Sequence, residues 1–298
     1  INNLMFSILI PTFNNLEYLK ICINSLKKNS LYNHEIILHI NDGSDGTLEY
    51  VKQNDFKFTY SKNNIGMPKA LNKSSELSKM DYILISHDDF YFCPHWDKSL
   101  KEEIEKINTK NFYISGTMVG AGQVYFDAGD NYLNFNEKKL LDNLDKIKTF
   151  NFQGTTKCPG LVHIDTWRQV GGWSEEFSPT GGDDSDFAMK LWKNNVRIYK
   201  GIGSSLAYHF GSITTRKKDK SLFTYLGNRG NKIFLKKWGM TINFFENKYL
   251  RAGLNKEKKL NFKPFLGSLD KPNKNISYYI GLIKCKLLKF YLLITNFK

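Results

Sequence analysis

Apolar positions follow two alternating rhythms along the first part of the chain. Met5-Phe6-Ser7-Ile8-Leu9-Ile10 is a short apolar run stopped by Pro11, the pattern of a buried strand. Residues 15–28 follow with Leu16, Leu19, Ile23 and Leu26 spaced three, four and three apart, which is one face of a helix. The alternation then repeats. Glu35–Ile40 reads as a strand ended by Asn41-Asp42-Gly43, 47–54 as a short helix, Phe56–Tyr60 as a strand and 67–79 as a helix. Residues 81–86 form the next strand, Pro94 opens a helix over 95–107, and Phe112–Ser115 is a further strand. Strands alternating with helices predict a parallel sheet covered by helices, an α/β fold.

The second half is less regular. Residues 128–150 are polar and aromatic with an amphipathic patch at Leu140, Leu141, Leu144 and Ile147, read as an insertion or lid. Residues 163–171 and 186–195 predict helices, the latter with Phe187, Ala188, Leu191 and Trp192 on one side. Val196–Tyr199 and Ser205–Tyr208 predict strands, 214–220 a basic loop, and 221–239 a basic helix. Ile276–Lys298 is apolar and aromatic, but Lys284, Lys286 and Lys289 interrupt it. Central lysines disfavour a spanning helix, whereas a basic helix bearing Tyr, Phe and Leu suits an anionic membrane surface. Packing on the body with the lysines outward is the competing expectation.

Charge divides the chain. The formal net charge is +14, and residues 216–298 carry 20 Lys/Arg against 4 Asp/Glu, so 1–215 is near neutral. This suggests a globular domain over 1–215 and a basic helical extension over 216–298 that meets a membrane surface or another copy of the chain. The four cysteines (Cys22, Cys93, Cys158, Cys285) form no CxxC pair, so neither a zinc site nor a disulfide framework is indicated. The expected compartment is reducing and cytoplasmic. The opening Ile1-Asn2-Asn3 lacks the basic start of a signal peptide.

The candidate chemistry lies where strands end, since ligands of parallel α/β sheets bind beyond the carboxyl ends of the strands. The segments there are Pro11-Thr12-Phe13-Asn14, Asn41-Asp42-Gly43-Ser44-Asp45-Gly46, Asn63-Asn64-Ile65-Gly66 and Ser86-His87-Asp88-Asp89. A separate run, Gly181-Gly182-Asp183-Asp184-Ser185-Asp186-Phe187, gathers three carboxylates in four positions. Carboxylates this close repel unless a cation, a donor or water compensates.

Together these segments resemble the family-2 glycosyltransferases of the GT-A fold, from about residue 5 to 212. FSILIPTFNNLEYLKICINSL is similar to that family's opening strand and helix, and EIILHINDGSDGT to its second strand and Asp-Gly-Ser turn. NNIGMPKALN, YILISHDDFYFCPHW, IDTWRQVGGWSEEFSPTGGDDSDFAMKLWKNN and AYHFGSIT resemble its later motifs. The resemblance implies a Rossmann-like, mixed but mostly parallel sheet flanked by helices. It also implies an inverting, metal-dependent transferase of the hexosyltransferase class. The implied reaction moves a sugar from a nucleotide-diphosphate donor, UDP-linked above all, to a hydroxyl of a glycan or lipid-linked acceptor. The implied setting is polysaccharide, lipopolysaccharide or capsule biosynthesis, peripheral on the inner face of the cell membrane.

The implied roles fall on particular residues. Asp89 and His209 would hold a divalent metal, Mn²⁺ or Mg²⁺, which acts as a Lewis acid on the leaving diphosphate. His87 stands where the family usually has an acid, and imidazole suits Mn²⁺ better than Mg²⁺. Asp184 maps onto the general base, with Asp183 at the preceding Glu position and Asp186 as a charge at a helix start. Pro11, Thr12, Phe13, Asn14 and Asp42 would hold the nucleotide, joined by Asn64 and Gly66. Asp88 would assist at ribose or a metal-bound water, and Lys69 and Arg216 would contact the diphosphate.

Three other readings compete. A sugar nucleotidyltransferase needs a glycine-rich cationic loop after the first strand, and Pro11-Thr12-Phe13-Asn14-Asn15 has neither feature. A non-enzymatic nucleic-acid or membrane binder rests on the basic tail, whose aliphatic and aromatic runs fit lipid better, so no nucleic acid is expected. An inactive transferase fits poorly with the retained Asp89, Asp184 and His209.

Overall fold

The computed structural model describes residues 5–211, 220–253 and 262–295. Its first part alternates strands and helices: β1 (Phe6–Phe13), α1 (Leu16–Asn29), β2 (Glu35–Asn41), α2 (Thr47–Gln53), β3 (Lys57–Ser61), α3 (Met67–Ser75) and β4 (Tyr82–Ile85). Then come β5 (Phe90–Phe92), α4 (Trp96–Lys106), β6 (Phe112–Gly120), α5 (Glu137–Leu141), α6 (Leu144–Ile147), β7 (Phe152–Gln153) and β8 (Gly160–His163). The last elements are α7 (Ile164–Val170), α8 (Asp183–Lys193), β9 (Ile198–His209), α9 (Lys220–Trp238), α10 (Ile242–Lys248) and α11 (Ile276–Ile294).

The sheet order is β3-β2-β1-β4-β8-β6-β9-β5, with β7 pairing on β9. β3, β2, β1 and β4 run parallel, as the alternation predicts. Fully buried Ile8, Leu9, Ile10, Ile37, Leu38, Leu84 and Ile85 fill both faces of the sheet and share one core with Leu19, Cys22 and Ile23 of α1. β1 runs past Pro11 instead of stopping there. Its pairing with β4 ends at Leu9, so Pro11 lies where only β2 remains as a neighbour, and a proline costs less there.

Three strands escape local periodicity. β8 inserts antiparallel between β4 and β6, β5 pairs antiparallel with β9, and β7 is a two-residue strand on β9. β8 offers only Leu161 and Val162 as apolar signal. Gly160 is fixed by close approach, because a Cβ there would lie 2.0 Å from the Tyr113 hydroxyl. The two strands expected at 196–199 and 205–208 are one strand, β9. Its register against β6 slips between Ser115 and Thr117, and Thr117 Oγ1 donates to the Ile202 carbonyl across the irregularity.

α8 starts three residues earlier than expected. Gly182, at φ 77°, turns the chain into the helix, so all three carboxylates sit in its first turn, where the helix dipole favours negative charge. Phe234 and Leu235 of α9 and Phe244 and Phe245 of α10 join the main core. Residues 128–150 lay Leu140 and Ile147 into a smaller cluster with Val119, Tyr208 and Phe210. α11 packs on α9 and α10 and buries Tyr278 and Cys285. Its exposed face carries Ile276, Tyr279, Ile283, Leu287, Phe290 and Ile294. No helix among the described residues is long and apolar enough to cross a membrane. All four cysteines are buried and free.

Candidate active site

The first cluster is made by pairing of distant chain segments. Phe90 of β5 sits opposite His209 of β9, and the Phe210 N–H donates to the Asp89 carbonyl, so a strand pair fixes Asp89 beside His209. His209 Nδ1 donates to the Ala121 carbonyl at 2.8 Å, which leaves Nε2 facing Asp89 Oδ2 at 3.4 Å. His87 stacks on Phe90 at 5.0 Å, with Nδ1 3.9 Å from Asp89 Oδ1. One ligand atom from each of His87, Asp89 and His209 lies within 4.8 Å of the other two. Two imidazoles and a carboxylate, with one imidazole oriented by a backbone carbonyl, fit a divalent transition-metal ion.

The two imidazoles are shifted in opposite directions. Burial disfavours the charged imidazole of His209, but the Asp89 carboxylate and the Ala121 carbonyl outweigh it and raise its pKa. Burial pushes His87 down to about 4 despite Asp89, so His87 is neutral and able to ligate at physiological pH. Asp88 is buried next to Asp89, and desolvation followed by that neighbour's charge raises it to about 7. Thr12 and Asn15 flank its carboxyl and offset part of the shift.

The second cluster is the first turn of α8. Asp183 is buried and accepts from the Gly181 N–H and the Thr180 hydroxyl, both at 3.1 Å. Desolvation and then the Asp184 charge raise its pKa to about 7. Asp184 is more open. Its Oδ1 accepts from the Ser185 N–H at 2.8 Å and its Oδ2 from the Lys157 ammonium at 2.6 Å. The Ser185 hydroxyl donates to Glu246 of α10 at 2.9 Å, and burial raises the Glu246 pKa against the pull of Lys157.

Asp186 is not merely a charge at a helix start. It is fully buried, accepts from Trp238 Nε1 at 2.7 Å and pairs with Lys237 at 3.0 Å, and so ties α8 to α9.

The residues expected to hold the nucleotide stand at the ends of β1, β2 and β3. Thr12 is buried at the end of β1 with Pro11 and Phe13 half-buried on either side. Asn14 is committed within the protein: it donates to Asp42 Oδ2 at 2.9 Å and accepts from the Gly43 N–H, locking the Asp-Gly-Ser turn. These hydrogen bonds, Asn14 first, hold the Asp42 pKa below the usual carboxylate range. Asn64 caps its own turn by accepting from the Gly66 N–H. Gly66, at φ 82°, presses on Pro179, which places this turn beside the segment leading to Asp183. Lys69 is exposed on α3, and Arg216 lies outside the described residues.

Beside the second cluster, on the side of Lys157 and Glu246, lies a cavity of about 350 Å³ also lined by Met118, Gln123, Thr155 and Phe262, among others. Sequence reasoning named neither Lys157 nor Glu246. Lys157 sits in an irregular stretch with no periodic signal. Glu246 was hidden in a tail counted as basic, where being one of only four acids was its one signal.

The fold and the placement of these clusters at the carboxyl edge define a GT-A α/β protein. The same architecture appears in S. aureus TarS (residues 1–349), at TM-score 0.53 and 15% identity over 78% of this chain and 70% of that one. It appears again in GalNAc-T7, at TM-score 0.53 and 15% identity over 80% and 51%. Residues 7–158 match the model of glycosyl transferase family 2, and the chain belongs to that family. Among relatives, the chondroitin synthase of Escherichia coli is 22% identical over 68% of this chain and 34% of its own length. The hyaluronan synthase of Pasteurella multocida is 26% identical over 68% and 24%. The chain thus spans about a quarter to a third of the length of these curated relatives.

Proposed function

We propose that this protein is a metal-dependent, inverting glycosyltransferase that carries a sugar from a UDP-linked donor to a hydroxyl of a glycan or lipid-linked acceptor. The observation that carries the reading is the proximity of two unlike clusters: His87, Asp89 and His209 with metal-ligand spacing, and Asp184 close enough for its charge to act on His87. One suits a cation at a leaving diphosphate, the other a base at an attacking hydroxyl. Solved structures of similar fold support the donor class: TarS in complex with UDP-GlcNAc (TM-score 0.50, 16% identity) and GalNAc-T7 with UDP, GalNAc and Mn²⁺.

In this reading Asp89, His209 and His87 hold Mn²⁺ or Mg²⁺, which when bound supplies Lewis-acid stabilisation of the departing diphosphate. Pro11, Thr12, Phe13 and Asp42 receive the nucleotide, Asn14 keeps Asp42 in place, and Asp88 faces the ribose side. Asn64, Gly66, Lys69 and Arg216 complete the donor side. Asp184 accepts the acceptor's hydroxyl proton as that oxygen attacks the anomeric carbon opposite the leaving group, and Asp183 orients the hydroxyl. The product's anomeric configuration is inverted.

The relatives named as glycan synthases support a polysaccharide-building role. The outward apolar face of α11, with Lys284 and Lys286 exposed, supports residence on an anionic membrane surface at the inner face of the cell membrane.

The test is a panel of nucleotide sugars assayed for Mn²⁺-dependent hydrolysis and for transfer to oligosaccharide acceptors, with product configuration read by NMR. One UDP-sugar turned over only with metal is expected. Turnover unaffected by chelator would sink the metal role, and a retained anomer would sink inversion.

A further inference from the structure

The Lys157 ammonium lies 2.6 Å from one carboxylate oxygen of Asp184, so that oxygen is already occupied by an ion pair. While Lys157 sits on Asp184, the carboxylate is poorly placed to take a hydroxyl proton. The Lys157 side chain is nonetheless 47% exposed, lines the cavity and ends a flexible stem. Asp184 foremost, then Glu246 and Asp183, hold its proton on, so it stays an ammonium.

Strand register sets what else it can reach. The antiparallel β4–β8 pairs end at Ile85 opposite Gly160. Lys157 comes three residues before Gly160, and so lies at the carboxyl edge of β4, from which the chain runs on to His87 and Asp89. Lys157 therefore belongs to the same edge as the His87, Asp89 and His209 cluster, and its charge acts on His87.

Resting on the function proposed above, we propose that Lys157 is a donor-binding residue that changes partner: Asp184 in the empty site, the donor's diphosphate in the loaded site. Asp184 is then released as a base only after the donor is in place. The exchange breaks one ion pair, makes another and moves no proton. In the transfer that follows, the hydroxyl proton goes to Asp184 as the new glycosidic C–O bond forms. The bond from the anomeric carbon to the diphosphate oxygen breaks, and the nucleoside diphosphate departs with its electron pair. The arrangement favours donor-first binding.

The exchange is testable without any acceptor. UDP and inorganic pyrophosphate, each with Mn²⁺, are titrated calorimetrically into the wild type, Lys157→Met, Lys157→Arg, Asp184→Asn and the double variant, after melting curves confirm that each folds. Lys157→Met should bind UDP about tenfold more weakly and Lys157→Arg near normally, since charge-assisted contacts to phosphate are among the strong ones. Asp184→Asn, which frees the ammonium, should bind UDP several-fold more tightly, and that gain should vanish in the double variant. An unchanged or weaker affinity in Asp184→Asn overturns the exchange. So do additive effects in the double variant, or a folded wild type that binds neither probe. Transfer by Asp184→Asn is read separately. Retained transfer with the affinity pattern intact would remove Asp184 as the base and keep the exchange. Lost transfer with flat affinities would do the reverse.

Discussion

The two halves of the proposed site, a nucleotide side and an acceptor side, are built in opposite ways. On the nucleotide side, β1, β2 and β4 run parallel, and each delivers its polar residues at its own carboxyl end: Thr12 and Asn14, Asp42, then Asp88. On the acceptor side nothing local suffices. Lys157 precedes an antiparallel insertion, Asp184 opens α8, Glu246 comes from α10, and Asp186 is clamped by Trp238 and Lys237 of α9. Half of the site is thus read out by a sheet edge, and the other half is assembled by packing across more than sixty residues of sequence. Substitutions on the first side should alter binding with little cost in stability. On the second side, Asp184 should govern chemistry and Asp186, two residues on in α8, stability.

The largest effect expected is at Asp184. Asp184→Asn keeps the size and the Ser185 contact but removes the base, so transfer should fall by about 10²- to 10⁴-fold while melting temperature moves little. Near-normal kcat would break the assignment of chemistry to this side. Asp89→Ala comes next: loss of the central carboxylate should weaken Mn²⁺ binding by at least about tenfold and remove the metal dependence of UDP binding. Calorimetry with and without Mn²⁺ checks it, and equal UDP affinity in both conditions would contradict the ligand assignment.

The same contrast explains what was legible in the sequence. The parallel strands and their helices could be read because each carries its own period, and the strand-end loops carried motifs that residues 7–158 share with the family. β5, β7 and β8 could not, being two to four residues long and stabilised by partners far away in the chain. β9 read as two strands because Gly201-Ile202-Gly203-Ser204-Ser205 looks like a break, yet β6 pairs with it on both sides of the bulge. The candidate metal cluster brings together Asp89 and His209, both singled out in the sequence, with His87. The partners of the acidic motif could not be read, since no local pattern says that Lys157 faces Asp184 or that Trp238 faces Asp186.

Asp186 separates stability from chemistry on the acceptor side. Asp186→Ala strands the Trp238 indole N–H, while Lys237 keeps Glu176 and Ser174, and leaving a buried donor unsatisfied costs about 1–3 kcal/mol. Chemical denaturation should show that loss, with Mn²⁺ affinity unchanged because the proposed ligands His87 and Asp89 precede β5 and His209 ends β9, outside α8 and α9 in the chain. A matching loss of Mn²⁺ affinity would mean that the two sides are one cooperative unit.

The sharpest prediction concerns Asp183. Its pKa in the folded protein is about 7, raised by burial and then by the Asp184 charge, against about 3.9 in an unfolded chain. Because the folded state holds this proton more tightly, the contribution is fully present below about pH 4 and is lost as pH rises through about 7. Asp183→Asn cannot ionise, so its melting temperature relative to wild type should climb steadily between those limits and level off above them. The Thr180 and Gly181 donors can still meet the amide oxygen, so the fold should survive the change. A constant offset across the range would show that Asp183 is charged throughout. The acceptor side would then carry two ionised carboxylates next to one ammonium, and the burial that sets it apart from the nucleotide side would not govern its charge.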